Sequence, residues 1–219
     1  MDNSDNLPVI ILGGGGHASV LAEICIEQGR QILAVVSPEP SLTREIFQGI
    51  RHLTNDDEVS WFSTSNVELV NGVGGLPGSE LRKQLATKFS ELGYRFATLV
   101  APSATVSRTA VLGEGVQVLP RATINAGALI GMHSILNSGA LVEHDCIIDS
   151  FVHIAPCATI CGGTTIREMT QVGPNSVVAQ GLNIGEYSII GAGESVVRSV
   201  ERYTKVLPAK TATSIWKKV

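Results

Sequence analysis

The chain has 219 residues, is 44% hydrophobic but only 5% aromatic, and carries 23 glycines and a formal charge of −4. That length holds one large domain or two small ones, and the mild acidity without a long charge run argues against a nucleic-acid surface. No stretch reaches the roughly 18–20 uninterrupted apolar residues of a membrane span, and the glycine-rich, aromatic-poor composition points to short strands and tight turns.

The opening "MDNSDNLP" is acidic and polar, unlike a signal peptide. The four cysteines, Cys25, Cys146, Cys157 and Cys161, have neither disulfide-scaffold density nor CxxC spacing. They read as small apolar packing residues of a reduced, cytoplasmic protein.

"PVIIL" predicts a short buried strand, followed by four glycines, Gly13 to Gly16. His17 opens a helix over 17–29 that closes at Gly29. "ILAVVS" (32–37) is a second strand, and "VELVNGVGG" (67–75) is a third that runs into a second glycine loop. Residues 78–93 form an amphipathic helix ending at Gly93, and "YRFATLV" begins the next strand. This alternation predicts an α/β, Rossmann-like parallel sheet over residues 1–97.

A glycine loop between strand and helix cradles pyrophosphate on the helix N-terminus. Dinucleotide-binding proteins normally hold a ribose with an acidic residue at the end of the second strand. Here Ser37-Pro38 stands there, so a redox cofactor is not expected. A tight turn without any ligand is the plainer reading of the same loop.

From Val100 the period changes. An aliphatic residue recurs every six positions through Val106, Leu112, Val118, Ile124 and onward to Val196, seventeen times without a break. Four residues after each comes mostly a small residue, as in Ala104, Ala110, Ala122, Ser134 and Cys146. A helix with 3.6 residues per turn would scatter such a repeat around its axis. Hexapeptide repeats mark a parallel β-helix, with the aliphatic pointing inward and three repeats closing a triangular coil. About five coils over residues 98–219 follow from this count.

Within the repeats, residues 136–156 carry the most reactive side chains. His144 falls two places after inward Val142, at a corner facing out, between Glu143 and Asp145; Asn137 lies one repeat earlier and His153 nine residues later. An imidazole beside a carboxylate can act as a general base, the carboxylate fixing the tautomer and raising basicity. A solvated surface histidine is the bland alternative.

The repeat resembles the left-handed β-helix of hexapeptide acyltransferases, and the left hand is implied by that resemblance alone. The glycine-loop unit ahead of it makes the whole chain similar to bacterial sugar acetyltransferases of the NeuD/PglD type. These include sialic acid acetyltransferases and enzymes acting on UDP- or dTDP-linked 4-amino sugars. The shared motifs are "GGGGHA", "NSGALVEHD" and the terminal "LPAK" (207–210). The resemblance implies that His144 removes a proton from the acceptor, with Asp145 as its acidic partner. It implies acetyl-CoA contacts at His153, Gly162, Gly173, Pro174 and Ala192. It gives the sugar-nucleotide end to Gly15, Gly16, His17, Ser37, Pro38 and Gly74, and Asn137 is expected among the substrate-binding residues. Members are typically homotrimers with active sites between coils of neighbouring copies. Two departures stand out: such enzymes often carry Asp-Asp where Ser37-Pro38 stands, and glycine where Val206 precedes the "LPAK" segment.

The expected activity is acetyl-CoA-dependent N-acetylation of a dTDP- or UDP-linked 4-amino-4,6-dideoxyhexose for a surface glycan such as O-antigen, with no metal. An O-acetyltransferase acting on sialic acid or a similar sugar shares the chemistry. A γ-carbonic-anhydrase-like metal enzyme would need His133, His144 and His153 to converge. A non-catalytic β-helix scaffold is the remaining reading.

Overall fold

The computed structural model describes residues 7–38 and 44–207. The apolar runs "VIIL" and "ILAVV" form β1 (Val9–Leu12) and β2 (Ile32–Val36). With β3 (Arg51–Leu53) and β4 (Glu68–Asn71) they make a parallel sheet in the order β3-β2-β1-β4. Strands buried on both faces need continuous aliphatic runs, as β1 and β2 supply. Helix α1 (Gly16–Glu27) starts from Gly15 in extended conformation and ends before Gly29, whose φ of 70° suits the left-handed region. Helix α2 (Leu81–Glu91) is shorter than the expected 78–93, because Gly78 has φ 75° and Glu80 is not helical.

The sheet differs from the sequence expectation in two respects. The short strand β3 is additional. "YRFATLV" does not extend the sheet as a full strand: Phe96 makes a single bridge to Leu69, and β5 (Leu99–Val100) already pairs within the next architecture.

From β5 to β22 (Lys205–Val206) every strand has two residues, and the strands stack in three parallel sheets of seven, six and five. This is the left-handed parallel β-helix, with about six coils rather than five. The first face contains Leu99, Gln117, Ile135, His153 and Gln171; the second contains Thr123, Leu141 and Thr159; the third contains Val111, Leu129 and Ile147. The inward aliphatics from Val118 to Val196 are all buried, while Val100, Val106 and Leu112 pack half-buried at the upper end. The second inward slot takes Val116, Ala122, Ala128 and Cys146, and lower down takes hydroxyls instead. Those hydroxyls are satisfied: Thr164 donates to Ala179 O at 3.0 Å, Thr170 to Gly185 O at 2.9 Å and Ser188 to Glu201 O at 2.9 Å.

The corners have their own rule. From Gly115 to Gly193 every sixth residue has φ between 56° and 73°. Non-glycine residues occupy many of these positions, including Arg121, His133, Asp145 and Phe151, at a cost of about 1 kcal/mol each. The stack of parallel ladders over-determines the turn and so tolerates that cost.

The N-terminal unit packs on the first face through α1, which shares a core with Leu99, Leu119 and Ile135. Gln117 and Ile135 are buried beneath it, and Gln28 Nε2 donates to Val100 O at 2.8 Å. No described helix is long and apolar enough to cross a membrane.

Candidate active site

His144 occupies the corner between the second and third faces. Its side chain is 63% exposed, and Nδ1 donates to Asp145 Oδ2 at 2.9 Å. A carboxylate can only accept, so Nδ1 carries the proton and Nε2 presents its lone pair outward. The pKa of His144 is raised, first by the hydrogen bond to Asp145 and further by the charges of Asp145 and Glu143. Asp145 reaches back because it lies in the left-handed region, φ 58°. Glycines clear the space around the pair. Gly162, one coil below, faces the imidazole at 2.7 Å from its would-be β-carbon, and Gly127, one coil above, faces Asp145 Oδ1 at 2.6 Å. Gly162, expected among acetyl-CoA contacts, therefore lies directly under the His144 ring.

His153 lies elsewhere, on the first face. Its Nδ1 donates to Gly75 O at 3.1 Å, and its Nε2 accepts from Asn137 Nδ2 at 3.1 Å. These partners fix the neutral Nδ1–H tautomer, and burial drives the pKa down to about 4. Asn137 thus joins His153 at the first–second corner, not His144. Gly173, Pro174 and Ala192 continue down that same corner. Gly173 is there for close coil stacking: a β-carbon would lie 2.7 Å from Ala192 N and from Gly191 C.

His17 faces this cluster from α1. Its Nε2 lies 2.8 Å from Gln117 Oε1, and Gln117 Nε2 donates to Asn71 O at 2.9 Å. Burial, then the charge of Arg82, lower the His17 pKa to about 4. Gly74 passes beside His17, where a β-carbon would lie 3.6 Å from the ring Cγ. The sequence pattern missed Gln117, Asn71 and Arg82. Their signal was present only in part: Gln117 interrupts the apolar or small residues of the first face beneath the glycine loops.

The crevice at the carboxyl ends of β1, β2 and β4 is a cavity of about 460 Å³ lined by Gly13, Pro38, Asn55, Asp56, Asp57 and Lys88. This is the switch-point position at which open parallel sheets bind ligands. Gly15 caps α1 and Gly16 begins it, close to Arg44 Nη2. Ser37 is buried beside it, its carbonyl accepting from His52 Nε2 at 2.9 Å. Carboxylates missing from the end of β2 are supplied after β3, by Asp56 and Asp57, which pair with Lys88 at 3.2 and 3.7 Å. The "PAK" residues 208–210 lie outside the described residues.

The geometry opposes the convergence of three histidines. His133 is enclosed between Phe96 and Phe151, with ring centroids 4.9 Å away on both sides, at the third–first corner. His144 and His153 occupy a different corner and a different face. Among the described residues no His, Cys, Asp and Glu side chains group to hold a metal ion.

The PglD N-terminal domain family matches residues 8–89. GDP-perosamine N-acetyltransferase from Escherichia coli O157:H7 is 29% identical over 118 residues, 54% of this chain and 53% of that protein, so the match spans about half the length of that curated relative. A mutant of GDP-perosamine N-acetyltransferase from Caulobacter crescentus, solved with CoA and GDP-perosamine, is similar with a TM-score of 0.84 and 32% identity, covering 92% of this chain and 93% of that one. The acetyltransferase domain of PglB from Neisseria gonorrhoeae FA1090, solved with acetyl coenzyme A, is similar with a TM-score of 0.83 and 28% identity, covering 93% and 97%. The chain belongs to the hexapeptide-repeat sugar acetyltransferases that carry a PglD-type N-terminal domain, enzymes that use acetyl-CoA to acetylate amino sugars.

Proposed function

We propose that this protein transfers the acetyl group of acetyl-CoA to the amine of a nucleotide-linked 4-amino-4,6-dideoxyhexose, in the cytoplasm, for a surface glycan such as O-antigen. The observation that carries the reading is the outward-facing His144 Nε2, backed by Asp145 and given room by Gly162. Residues 1–97 bind the sugar nucleotide and residues 98–219 carry out the transfer. GDP is the carrier favoured by the relatives named for GDP-perosamine, ahead of the dTDP or UDP expected from sequence. Four free cysteines fit a reducing compartment.

In this mechanism His144 Nε2 accepts a proton from the amine as its nitrogen attacks the thioester carbonyl carbon. The tetrahedral intermediate collapses, the carbon–sulfur bond breaks, and the His144 imidazolium returns the proton to the leaving CoA thiolate. A backbone N–H in the cleft stabilises the oxyanion. Asp145 holds the ring and favours its charged form.

The site is completed between copies. His144 and Gly162 lie on one edge of the second face, and Asn137, Gly173, Pro174 and Ala192 on the other, with His153 and His17 behind them. Two different edges of one prism meet only if one copy's second–third corner faces the next copy's first–second corner. Such heterologous contacts close into a ring, here a trimer.

Release of free CoA thiol on mixing the protein, acetyl-CoA and GDP-, dTDP- or UDP-linked 4-amino sugars tests the reading. Transfer to the amine of one of them supports it. Turnover only with hydroxyl acceptors such as sialic acid would replace it with O-acetylation.

A further inference from the structure

Arg82 lies in the first turn of α2 with its side chain withdrawn from solvent, at 6% exposure. Its guanidinium meets carbonyls only. Nε donates to His133 O at 3.0 Å, and one terminal nitrogen donates to Asn71 O at 2.8 Å and Val73 O at 2.9 Å. The other terminal nitrogen is buried without a partner, and no carboxylate pairs with the group among the described residues. A buried charge lacking a counter-ion is expensive to keep. Its placement therefore calls for a role beyond filling space.

What Arg82 grips is the second glycine loop. That loop has no room for β-carbons at Gly72 and Gly75. At Gly72 a β-carbon would lie 2.8 Å from Ala18 Cβ, and at Gly75 it would lie 2.7 Å from His153 Nδ1. Gly74 runs beside His17 between them, where a β-carbon would lie 3.5 Å from His17 Cβ and 3.6 Å from Cγ. One loop thus hydrogen-bonds the His153 imidazole of the β-helix and runs beside His17 of α1. Arg82 ties its upstream end to the β-helix corner at His133, and Asn71 locks the arrangement by donating to Arg82 O at 2.9 Å and accepting from Val73 N at 3.2 Å.

We propose that Arg82 is a positioning residue for acetyl transfer: it clamps residues 71–73 against the β-helix so that Gly74 and Gly75 hold His17 and His153 in their working places. This rests on the amino-sugar acetyltransferase reading above. The groups facing His17 are Arg82, His153 and Gln117; those facing His153 are Arg82, Asn137 and the Gly75 carbonyl. Arg82 is the permanent charge common to both, and it disfavours protonation of either ring. A lysine cannot replace the clamp, because one ammonium cannot reproduce the planar fork that spans three carbonyls.

The test uses the full-length protein and R82M and R82K, studied well below their melting temperatures. Histidine NMR titrations without substrate are combined with kcat and KM for each substrate. In R82M, His17 and His153 should titrate above their wild-type values of about 4. Its kcat/KM for the sugar nucleotide should fall about tenfold or more, as small misplacements do, with KM for acetyl-CoA changed less. R82K should lose kcat/KM similarly. A lowered melting temperature with both titrations unmoved and kcat/KM within about twofold of wild type would reduce Arg82 to interdomain glue. If R82M does not fold, wild-type kinetics in R82K overturn the proposal alone. A wild-type protein inert towards every amino-sugar nucleotide defeats the functional reading instead, and the titrations still judge the clamp.

Discussion

The His144 ring stands so close over Gly162 that a β-carbon there would lie 2.7 Å from both Cε1 and Nε2. The glycine is a spatial requirement of the imidazole one coil above. Gly162→Ala should therefore turn the ring away from the acceptor and lower kcat by about tenfold or more. KM for acetyl-CoA should stay within a few-fold. Steady-state kinetics on G162A decide it; a variant with unchanged kcat would show that the ring position is not critical.

Asp145 raises the His144 pKa, and a general base works only when unprotonated. The kcat/KM profile should accordingly rise with pH through an ionisation above the ordinary histidine value. In Asp145→Asn that limb should move to lower pH, and kcat should fall less than when His144 itself is removed. An unmoved limb in D145N would assign the ionisation to another group.

The repeat that builds the β-helix was legible as far as Val196, because each inward slot is a local six-residue decision repeated without insertion; the last strand, Lys205–Val206, falls outside that period. The corner position of His144 followed directly from its distance to Val142. The pairing of Asn137 with His153 was not legible. Those residues are 16 positions apart and meet only because one coil of the β-helix stacks on the next. Arg82 was hidden for a different reason: a lone arginine in the first turn of an amphipathic helix looks solvated until the β-helix is packed against it. The acids after β3 were missed because β3 itself is only three residues long.

The division of the site between copies can be read by mixing. His144→Ala and His153→Ala proteins should each be impaired as pure oligomers. Exchanged subunits should regain activity, up to about a quarter of wild type if mixing is random, because one interface in four then joins two intact edges. No recovery after demonstrated exchange would place the whole site within one chain.

Three histidines make the fold sensitive to acid. His17, His133 and His153 are held down to about 4, chiefly by burial, against 6.5 when exposed. Between those values the unfolded chain binds more protons, so stability falls as pH drops from 6.5 towards 4. Each histidine contributes a slope of about 1.4 kcal/mol per pH unit. His133→Asn keeps a residue that tolerates φ near 59° and should flatten the slope by about a third. Denaturant unfolding at a series of pH values measures this, and a stability flat across the window would show that the rings protonate without unfolding cost.

Steady-state kinetics of His144→Ala beside His17→Ala, with acetyl-CoA and the amino-sugar nucleotide that the wild type accepts, test the role of His144 most directly. His144→Ala should lose about 10²–10⁴-fold in kcat, the usual worth of general-base assistance, together with the acidic limb of the pH profile. Its KM for acetyl-CoA should stay within a few-fold. His17→Ala should act mainly by raising KM for the sugar nucleotide. Near wild-type kcat in His144→Ala, with turnover abolished in His17→Ala, would contradict the assignment of His144 as the base.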